Sequence, residues 1–363
     1  MTQSIIRLTK KDLTGGGPHA ALSDPEGIGT ISPEKRAALE SNPLSSSPDD
    51  PVTFLGVDDD TIVGRIDVIK AAVEIRGESI PIYWGSSLYV SEDHRKGGMG
   101  LNLLLQMQGM REVLGVSAVS QAAYPLYLKL GWTDFSFPRL MVINRSKAVL
   151  ERFLRNALLA GAASKLVDGG LWMQRRLIAL AARRGYRIRE FSRAPQELDA
   201  ILHSPEPYST HRSAAWLDWV VSNQQSKFPK DRQSLFGVLD GSDKLIGYFL
   251  LKQRFFASAS RQGYKNLLLC SLQEWRSLVP GALTTFDFLA FATRLMEEWD
   301  ADALEIGVPD LDEAARLRKF GFVQIGTHKL LLRHHAKIKL SKAEFTNRKS
   351  WRYSAADGDS FIS

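Results

Sequence analysis

The spacing of apolar residues switches between two periods along the chain, and the switches mark its elements. Residues 14–50 keep neither period for long. Gly, Pro and Ser dominate them (Thr14-Gly15-Gly16-Gly17-Pro18, then Ser45-Ser46-Ser47-Pro48), which predicts loop, one short helix at 33–41, and loop again. Two β-rich runs, Val52–Val57 and Ile62–Ile69, then flank Asp58-Asp59-Asp60-Thr61, a hairpin with an acidic turn. A third strand, Ile80 to Val90, leads into Ser91-Glu92-Asp93-His94-Arg95-Lys96-Gly97-Gly98-Met99-Gly100. After this loop Leu101, Leu104, Leu105, Gln108 and Val113 trace a helical face. A strand at Val116–Val119, a helix from Ala122 to Leu130 stopped by Gly131, and a closing strand from Trp132 to Ile143 complete one α/β unit.

Residues 147–185 read as two helices, one carrying Leu150, Phe153, Leu154 and Leu158 and the other Leu171, Leu177, Ile178 and Ala181, joined near Asp168-Gly169-Gly170. From Tyr186 strands and helices alternate again, closing near Leu332 before a polar tail. The two halves echo each other. Phe54-Leu55-Gly56-Val57 with Gly64 matches Leu235-Phe236-Gly237-Val238 with Gly247, and Lys129-Leu130-Gly131-Trp132 matches Lys319-Phe320-Gly321-Phe322. The expected organisation is therefore α/β (α+β) with two tandem mixed-sheet domains: 1–146, a helical linker 147–185, a second copy 186–335, and a tail 336–363.

Composition narrows the class. With 363 residues, 44% hydrophobic and 24% charged, the chain can bury real cores, and disorder as the dominant state is excluded. The net charge of +7 is local: residues 145–190 carry eleven basic against three acidic side chains, the tail adds +3, and the remainder is −4. The pairs Arg175-Arg176 and Arg183-Arg184 fall about two helical turns apart, on a face opposite Leu177, Ile178 and Ala181; a solvated linker face, a rim attracting anionic phosphates, and an anionic membrane or nucleic acid are the readings open to them. In the tail, Trp351, Tyr353 and Phe361 suit docking onto the body as well as a disordered end, and Asp357-Gly358-Asp359 alone makes no calcium loop. A single cysteine, Cys270, excludes an internal disulfide, and a reducing cytoplasm is the expected compartment. Neither a signal peptide nor a membrane span is expected, because Arg155 and Lys165 interrupt the most apolar stretch. The seven histidines never fall four apart on one helix with a carboxylate, so no metal is expected.

The loop Arg95-Lys96-Gly97-Gly98-Met99-Gly100 carries the chemistry. Glycines at a strand-to-helix junction let the backbone approach a ligand, and helix N-terminal N–H groups converge on an anion, so the loop suits a phosphate or pyrophosphate. It is neither a Walker loop nor a G-x-G-x-x-G fingerprint. Thirty residues on, Ala122-Ala123-Tyr124-Pro125-Leu126-Tyr127-Leu128-Lys129-Leu130-Gly131-Trp132 places a tyrosine four residues before a glycine-aromatic pair. In these two motifs, their order and spacing, the sequence resembles the GNAT superfamily of acyl-CoA-dependent N-acyltransferases, whose [QR]-x-x-G-x-[GA] loop is matched by Arg95, Gly98 and Gly100. The resemblance covers residues 5–143 and, more loosely, the second half.

The resemblance implies that acetyl-CoA, as co-substrate, is held by Leu88, Tyr89 and Val90 and by Arg95, Lys96, Gly97, Gly98, Met99, Gly100 and Leu101. Backbone N–H groups of Leu88–Val90 would polarise the thioester oxygen. Tyr127 would protonate the leaving thiolate, a task suited to a phenol of pKa about 10, with Tyr124 as its fallback. An amine acceptor, a small molecule or an envelope or polysaccharide precursor, would attack directly. For a general base Asp67 and Glu74 are candidates that also read as strand-edge charges; Ser86, Ser87 and Ser120 could hold a water or the amine, and Trp84 could line the acceptor pocket. In the second half Leu317 stands where Tyr127 does, and Arg276-Ser277-Leu278-Val279-Pro280-Gly281-Ala282 lacks the glycine pattern, so that copy is expected to be degenerate, a cover for the site or a dimerisation surface. Two alternatives stand beside an N-acetyltransferase: a Fem-like aminoacyl transferase using aminoacyl-tRNA, and a non-catalytic acyl-CoA-binding regulatory module.

Overall fold

A computed structural model describes residues 3–357 except 111, 148–149, 151–156, 183–184, 202–207, 211, 224–227, 258–265 and 336–339. Phe153, Leu154, Arg155, Arg183, Arg184, Gly358, Asp359 and Phe361, singled out in the sequence, lie outside the described residues. In chain order the elements are β1 (Gln3–Thr9), α1 (Asp12–Gly15), α2 (Pro33–Glu40), β2 (Pro51–Asp58), β3 (Thr61–Ile75), β4 (Glu78–Val90), a 3₁₀ turn (Glu92–Gly97), α3 (Met99–Gln108), β5 (Val113–Ser117), α4 (Tyr124–Lys129), β6 (Thr133–Asp134) and β7 (Phe137–Ile143). Then come α5 (Ala157–Ala181), β8 (Arg187–Phe191), α6 (Glu197–Ile201), β9 (Tyr208–Thr210), α7 (Ala214–Ser222), β10 (Arg232–Leu239), β11 (Leu245–Phe256), β12 (Leu267–Ser277), α8 (Thr285–Glu298), β13 (Ala303–Gly307), α9 (Leu311–Lys319), β14 (Val323–His328), β15 (Leu330–Arg333), α10 (Lys342–Thr346) and β16 (Trp351–Arg352).

The strands form two mixed sheets, ordered β1-β2-β3-β4-β5-β15-β6 and β8-β10-β11-β12-β13-β7-β14; β9 pairs β3, and β16 pairs β9, beside the first. The order repeats: an antiparallel meander, one parallel pair (β4 with β5, β12 with β13), an inserted strand, an edge strand. The inserted strands are exchanged. β15, from the end of the second half, lies between β5 and β6, while β7, from the end of the first, lies between β13 and β14. Both are apolar at consecutive positions, as a strand covered on both faces must be: Leu330, Leu331 and Leu332 are buried, as are Leu140, Met141 and Val142. The compact units consequently do not follow the expected boundaries at 146, 185 and 335. The first comprises 1–136, 203–225 and 329–363, and the second 137–202 and 226–328.

In the first unit α3 packs on a groove cut for it by glycines. A Cβ on Gly64 would lie 3.1 Å from Leu103, one on Gly85 2.9 Å from the sulfur of Met107, and one on Gly56 inside the Met99 side chain. The buried face of α3 is therefore Met99, Leu103, Leu104 and Met107. This corrects the face traced through Leu101, Leu105, Gln108 and Val113: Leu101 and Leu105 are exposed, and Val113 begins β5. The sequence fits both faces, and the grooved sheet decides between them. On the opposite face α7 covers α2, the Trp219 indole donating to the Ala38 carbonyl at 2.8 Å.

The tail docks within this unit. Phe345, Trp351 and Tyr353 ring Phe135 with edge-on contacts, and Asp357 accepts from buried Arg212 at 2.6 Å. In the second unit α8 and α9 cover a core containing Phe249, Leu272, Phe288 and Leu304. α5 belongs to that unit and runs unbroken through Asp168-Gly169-Gly170, correcting the expected joint. Two helical glycines cost about 1 kcal/mol each; Ile178 buried in the core, Gln174 donating to the Phe320 carbonyl and Asp168 accepting the Ser146 N–H hold the helix through them.

Candidate active site

The polar chemistry of the first unit gathers where β4 ends. β4 and β5 pair in parallel through four positions, from Ile82 with Val113 to Gly85 with Val116. Beyond Gly85 the strands part. On its other edge β4 still pairs with β3, Tyr89 with Arg65 and Val90 with Gly64, so the β5-side edge of Ser86–Val90 has no strand partner among the described residues. A bulge accompanies the parting: Ser87 and Leu88 both stand opposite Ile66, and Ser87 takes a φ of 53°. Leu88 and Val90 pack against the core under α3, while Tyr89 turns outward and donates to Glu26 at 3.2 Å.

The next residues turn the chain from β4 into α3. His94 pins its entry, with Nδ1 2.7 Å from Ser91 Oγ and Nε2 3.3 Å from the Asp58 carboxylate. Arg95 donates from Nε to the Val90 carbonyl at 3.2 Å and is otherwise half exposed; Lys96 and Gly97 are exposed. Gly98 takes a φ of 81°, a left-handed conformation that turns the chain into α3. Met99 drops into the core, Gly100 is half-buried and Leu101 is exposed. Among the described residues no side chain caps α3, and no carboxylate lies in its first turn, so its N-terminal N–H groups and dipole are not taken up by a side-chain acceptor there. The matching helix of the second unit is closed: Thr284 and Asp287 form a capping box, and Asp287 puts a carboxylate at the α8 N-terminus.

Helices α4 and α9 end identically, with Gly131 and Gly321 at φ of 82° and 85° and the Trp132 and Phe322 N–H groups reaching the Tyr127 and Leu317 carbonyls at 3.2 Å. The sequence echo is thus structural, and Leu317 does occupy the place of Tyr127. Tyr127 is buried, edge-on to Trp132 with ring centroids 5.1 Å apart. Its hydroxyl has no hydrogen-bond partner among the described residues, and burial pushes its pKa well above the ordinary phenol value. Tyr124 is committed elsewhere. Its hydroxyl donates to Asp134 at 2.6 Å, a bond that with burial lifts its pKa to about 12, and Lys329 sits 4.1 Å from its ring centroid.

The proposed bases fare differently. Asp67 is fully buried and accepts from Lys35 at 2.6 Å, from Arg65 Nε and Nη2 at 2.6 Å each, and from Thr53 at 2.8 Å. Burial raises its pKa, but Lys35 and Arg65 outweigh that and hold the carboxyl below its ordinary range. It is an anchor, not a base. Lys35 also reaches Ser87 at 3.1 Å and Ser86 at 3.4 Å, tying α2 to the bulge. Glu74 pairs in register with Ser209 of β9, away from the gap. Ser120 accepts the Ala123 N–H ahead of α4, and Trp84 is core, its ring occupying the space a Cβ on Gly115 would need. Sequence reasoning missed Lys35 and Arg65. Arg65 was findable as the same-face neighbour of Asp67 two residues along one strand; nothing in the sequence pointed to Lys35, which comes from a helix in the Gly-, Pro- and Ser-rich stretch. Among the described residues no group of His, Cys, Asp and Glu is placed to hold a metal ion.

No protein-family model matches the chain, and no curated protein sequence does. Solved structures do. A conserved protein of unknown function from Enterococcus faecalis V583, described as a probable N-acyltransferase, aligns over 92% of this chain and 73% of its own at 13% identity and a TM-score of 0.52. A GCN5-related N-acetyltransferase from Anabaena variabilis aligns over 92% and 72% at 11% identity and 0.54, and Saccharomyces cerevisiae N-myristoyltransferase with bound myristoyl-CoA over 92% and 83% at 11% identity and 0.53. At such identities the likeness establishes the fold, which is GNAT-like and extends through nearly the whole chain.

Proposed function

We propose that the chain is an acyl-CoA-dependent N-acyltransferase whose chemistry resides in the first unit. The observation that carries this reading is the contrast at the two helix N-termini: α3 is uncapped, free of first-turn carboxylate and entered through Gly98, next to a strand edge left open, whereas α8 is sealed by its own Asp287. In this reading the CoA pyrophosphate binds the Arg95–Gly100 turn and the α3 N-terminus, with Arg95 and Lys96 adding charge. The pantetheine enters between β4 and β5. Backbone N–H groups on the open Leu88–Val90 edge polarise the thioester carbonyl, an amine attacks it, the C–S bond breaks as Tyr127 gives its proton to the departing sulfur, and the phenolate takes back the proton that the attacking nitrogen sheds. Acetyl-CoA is the proposed donor. A short acyl group is supported by the filled space at the foot of the gap, where a Cβ on Gly85 would already lie 2.9 Å from Met107 and 3.1 Å from Val116.

Titration with acetyl-CoA, with thiol release followed over a panel of primary amines, tests the reading; absence of acetyl-CoA binding overturns it. A second reading, a non-catalytic acyl-CoA-binding module, is favoured by the burial of the Tyr127 side chain and the engagement of Asp67. It requires binding without thiol release across the amine panel.

A further inference from the structure

One face of α5 is committed and the other is not. Inward, Ile178 is buried in the second unit's core, Gln174 bonds the Phe320 carbonyl at 2.9 Å, and Arg175 bonds Glu297 at 2.6 Å. Outward, Trp172, Met173, Leu177 and Leu180 are 49%, 61%, 53% and 67% exposed. At 100° per residue these four fall on one face, together with Lys165 and Arg176. The Arg176 guanidinium lies 5.1 Å from the centroid of the Trp172 ring. The only acidic residue in Ala157–Ala181 is Asp168, which turns toward the unit to accept the Ser146 N–H at 2.7 Å. The outward face thus combines large apolar side chains with cations and no carboxylate, within a stretch (145–190) of net charge +8.

We propose that this face of α5 docks on an anionic lipid surface, lying in the headgroup plane with Met173, Leu177 and Leu180 toward the acyl chains, Trp172 at the interface, and Lys165 and Arg176 on lipid phosphates. A nucleic acid would match the charge but leave the apolar side chains uncovered; a neutral apolar protein surface would leave the cations unpaired. The helix lies on the membrane and does not span it: no helix among the described residues is long and apolar enough to cross.

Sedimentation of the full chain with vesicles tests this. Vesicles with about 30 mol % phosphatidylglycerol are expected to bind at least tenfold more protein than pure phosphatidylcholine, with most of the binding lost as salt rises and the screening length falls below about 10 Å. Leu177→Glu and Leu180→Glu should each abolish binding and Arg176→Glu should remove the preference for the anionic lipid. Because these side chains are exposed, the melting temperature should not move. A blue shift of tryptophan emission on the vesicles that Trp172→Phe removes would place the contact at α5. No binding to either vesicle overturns the proposal, as does equal binding to both. Two further results overturn it: a dimer in light scattering that Leu177→Glu dissociates, and salt-sensitive RNA binding in place of vesicle binding. None of these outcomes depends on the acyltransferase reading.

Discussion

Replacing Asp67 by Asn changes one oxygen for a nitrogen and keeps the shape, so its effect isolates the charge. The Asp67 side chain is wholly buried, and those of Lys35 and Arg65 are only 14% and 11% exposed, so neither cation can recover its hydration in place. An Asn would keep one acceptor oxygen for four donors and turn its own N–H groups toward cations. Removing one partner of a buried pair costs about 3–5 kcal/mol. At about 2–4 °C per kcal/mol for a domain of this size, the first unit's melting temperature should fall by about 6–20 °C at pH 7. The pH dependence has a definite sign. Asp67 has a lowered folded-state pKa, so its contribution is complete above the unfolded carboxylate value of about 4 and is lost as pH falls through the folded one. The gap between Asp67→Asn and the parent should therefore be largest near neutrality and close in acid. Calorimetry at stepped pH reads both. Adding Lys35→Met to Asp67→Asn should recover part of the loss, since it removes the orphaned ammonium. A melting temperature within about 1 °C of the parent at pH 7 would show that the buried cluster is not what ties α2 to the β4 bulge.

Tyr127→Phe should lower thiol release by about 100-fold with acyl-CoA affinity and melting temperature unchanged, because the hydroxyl lost has no hydrogen-bond partner among the described residues; unaltered turnover would remove Tyr127 from the mechanism. Burial raises the Tyr127 pKa, so the phenol stays protonated and the parent's rate should show no phenol titration up to pH 10. Gly98→Val puts a β-branched residue at a φ of 81°, costing about 1–2 kcal/mol, and should weaken acetyl-CoA binding measured by titration while leaving far-ultraviolet dichroism intact. Residues 1–146 expressed alone lack β15, and 147–363 alone lack β7; neither half should melt cooperatively, whereas co-expression should yield a folded complex. A soluble, cooperatively folding 1–146 would refute the exchange.

Much of both units was legible where the signals are local. The acidic turn, the Gly-rich junction and the Gly131 and Gly321 helix stops each specify backbone conformation within a few residues, and each appears where the sequence places it. What was misread depends on distant partners. The face of α3 is set by Gly56, Gly64 and Gly85 on three other strands, and α5 runs through two glycines because its inner side is packed. Asp67, for which base and strand-edge charge both stood open, is bound by a lysine 32 residues away.

By itself the sequence determined that a short strand and helix-stop pattern occurs twice, that the first copy alone has the glycine junction and the tyrosine, and that the basic charge is concentrated in residues 145–190. Periodicity, turn chemistry and charge are properties of short segments, so they survive in one dimension. Only the tertiary structure decided that the last strand of each copy completes the other's sheet. A strand with both faces buried reads as a bare apolar run, and Leu330–Leu332 and Leu140–Val142 would fit between the parted strands of either sheet. The choice lies in backbone hydrogen bonds to strands made up to about 200 residues away, which no local pattern records.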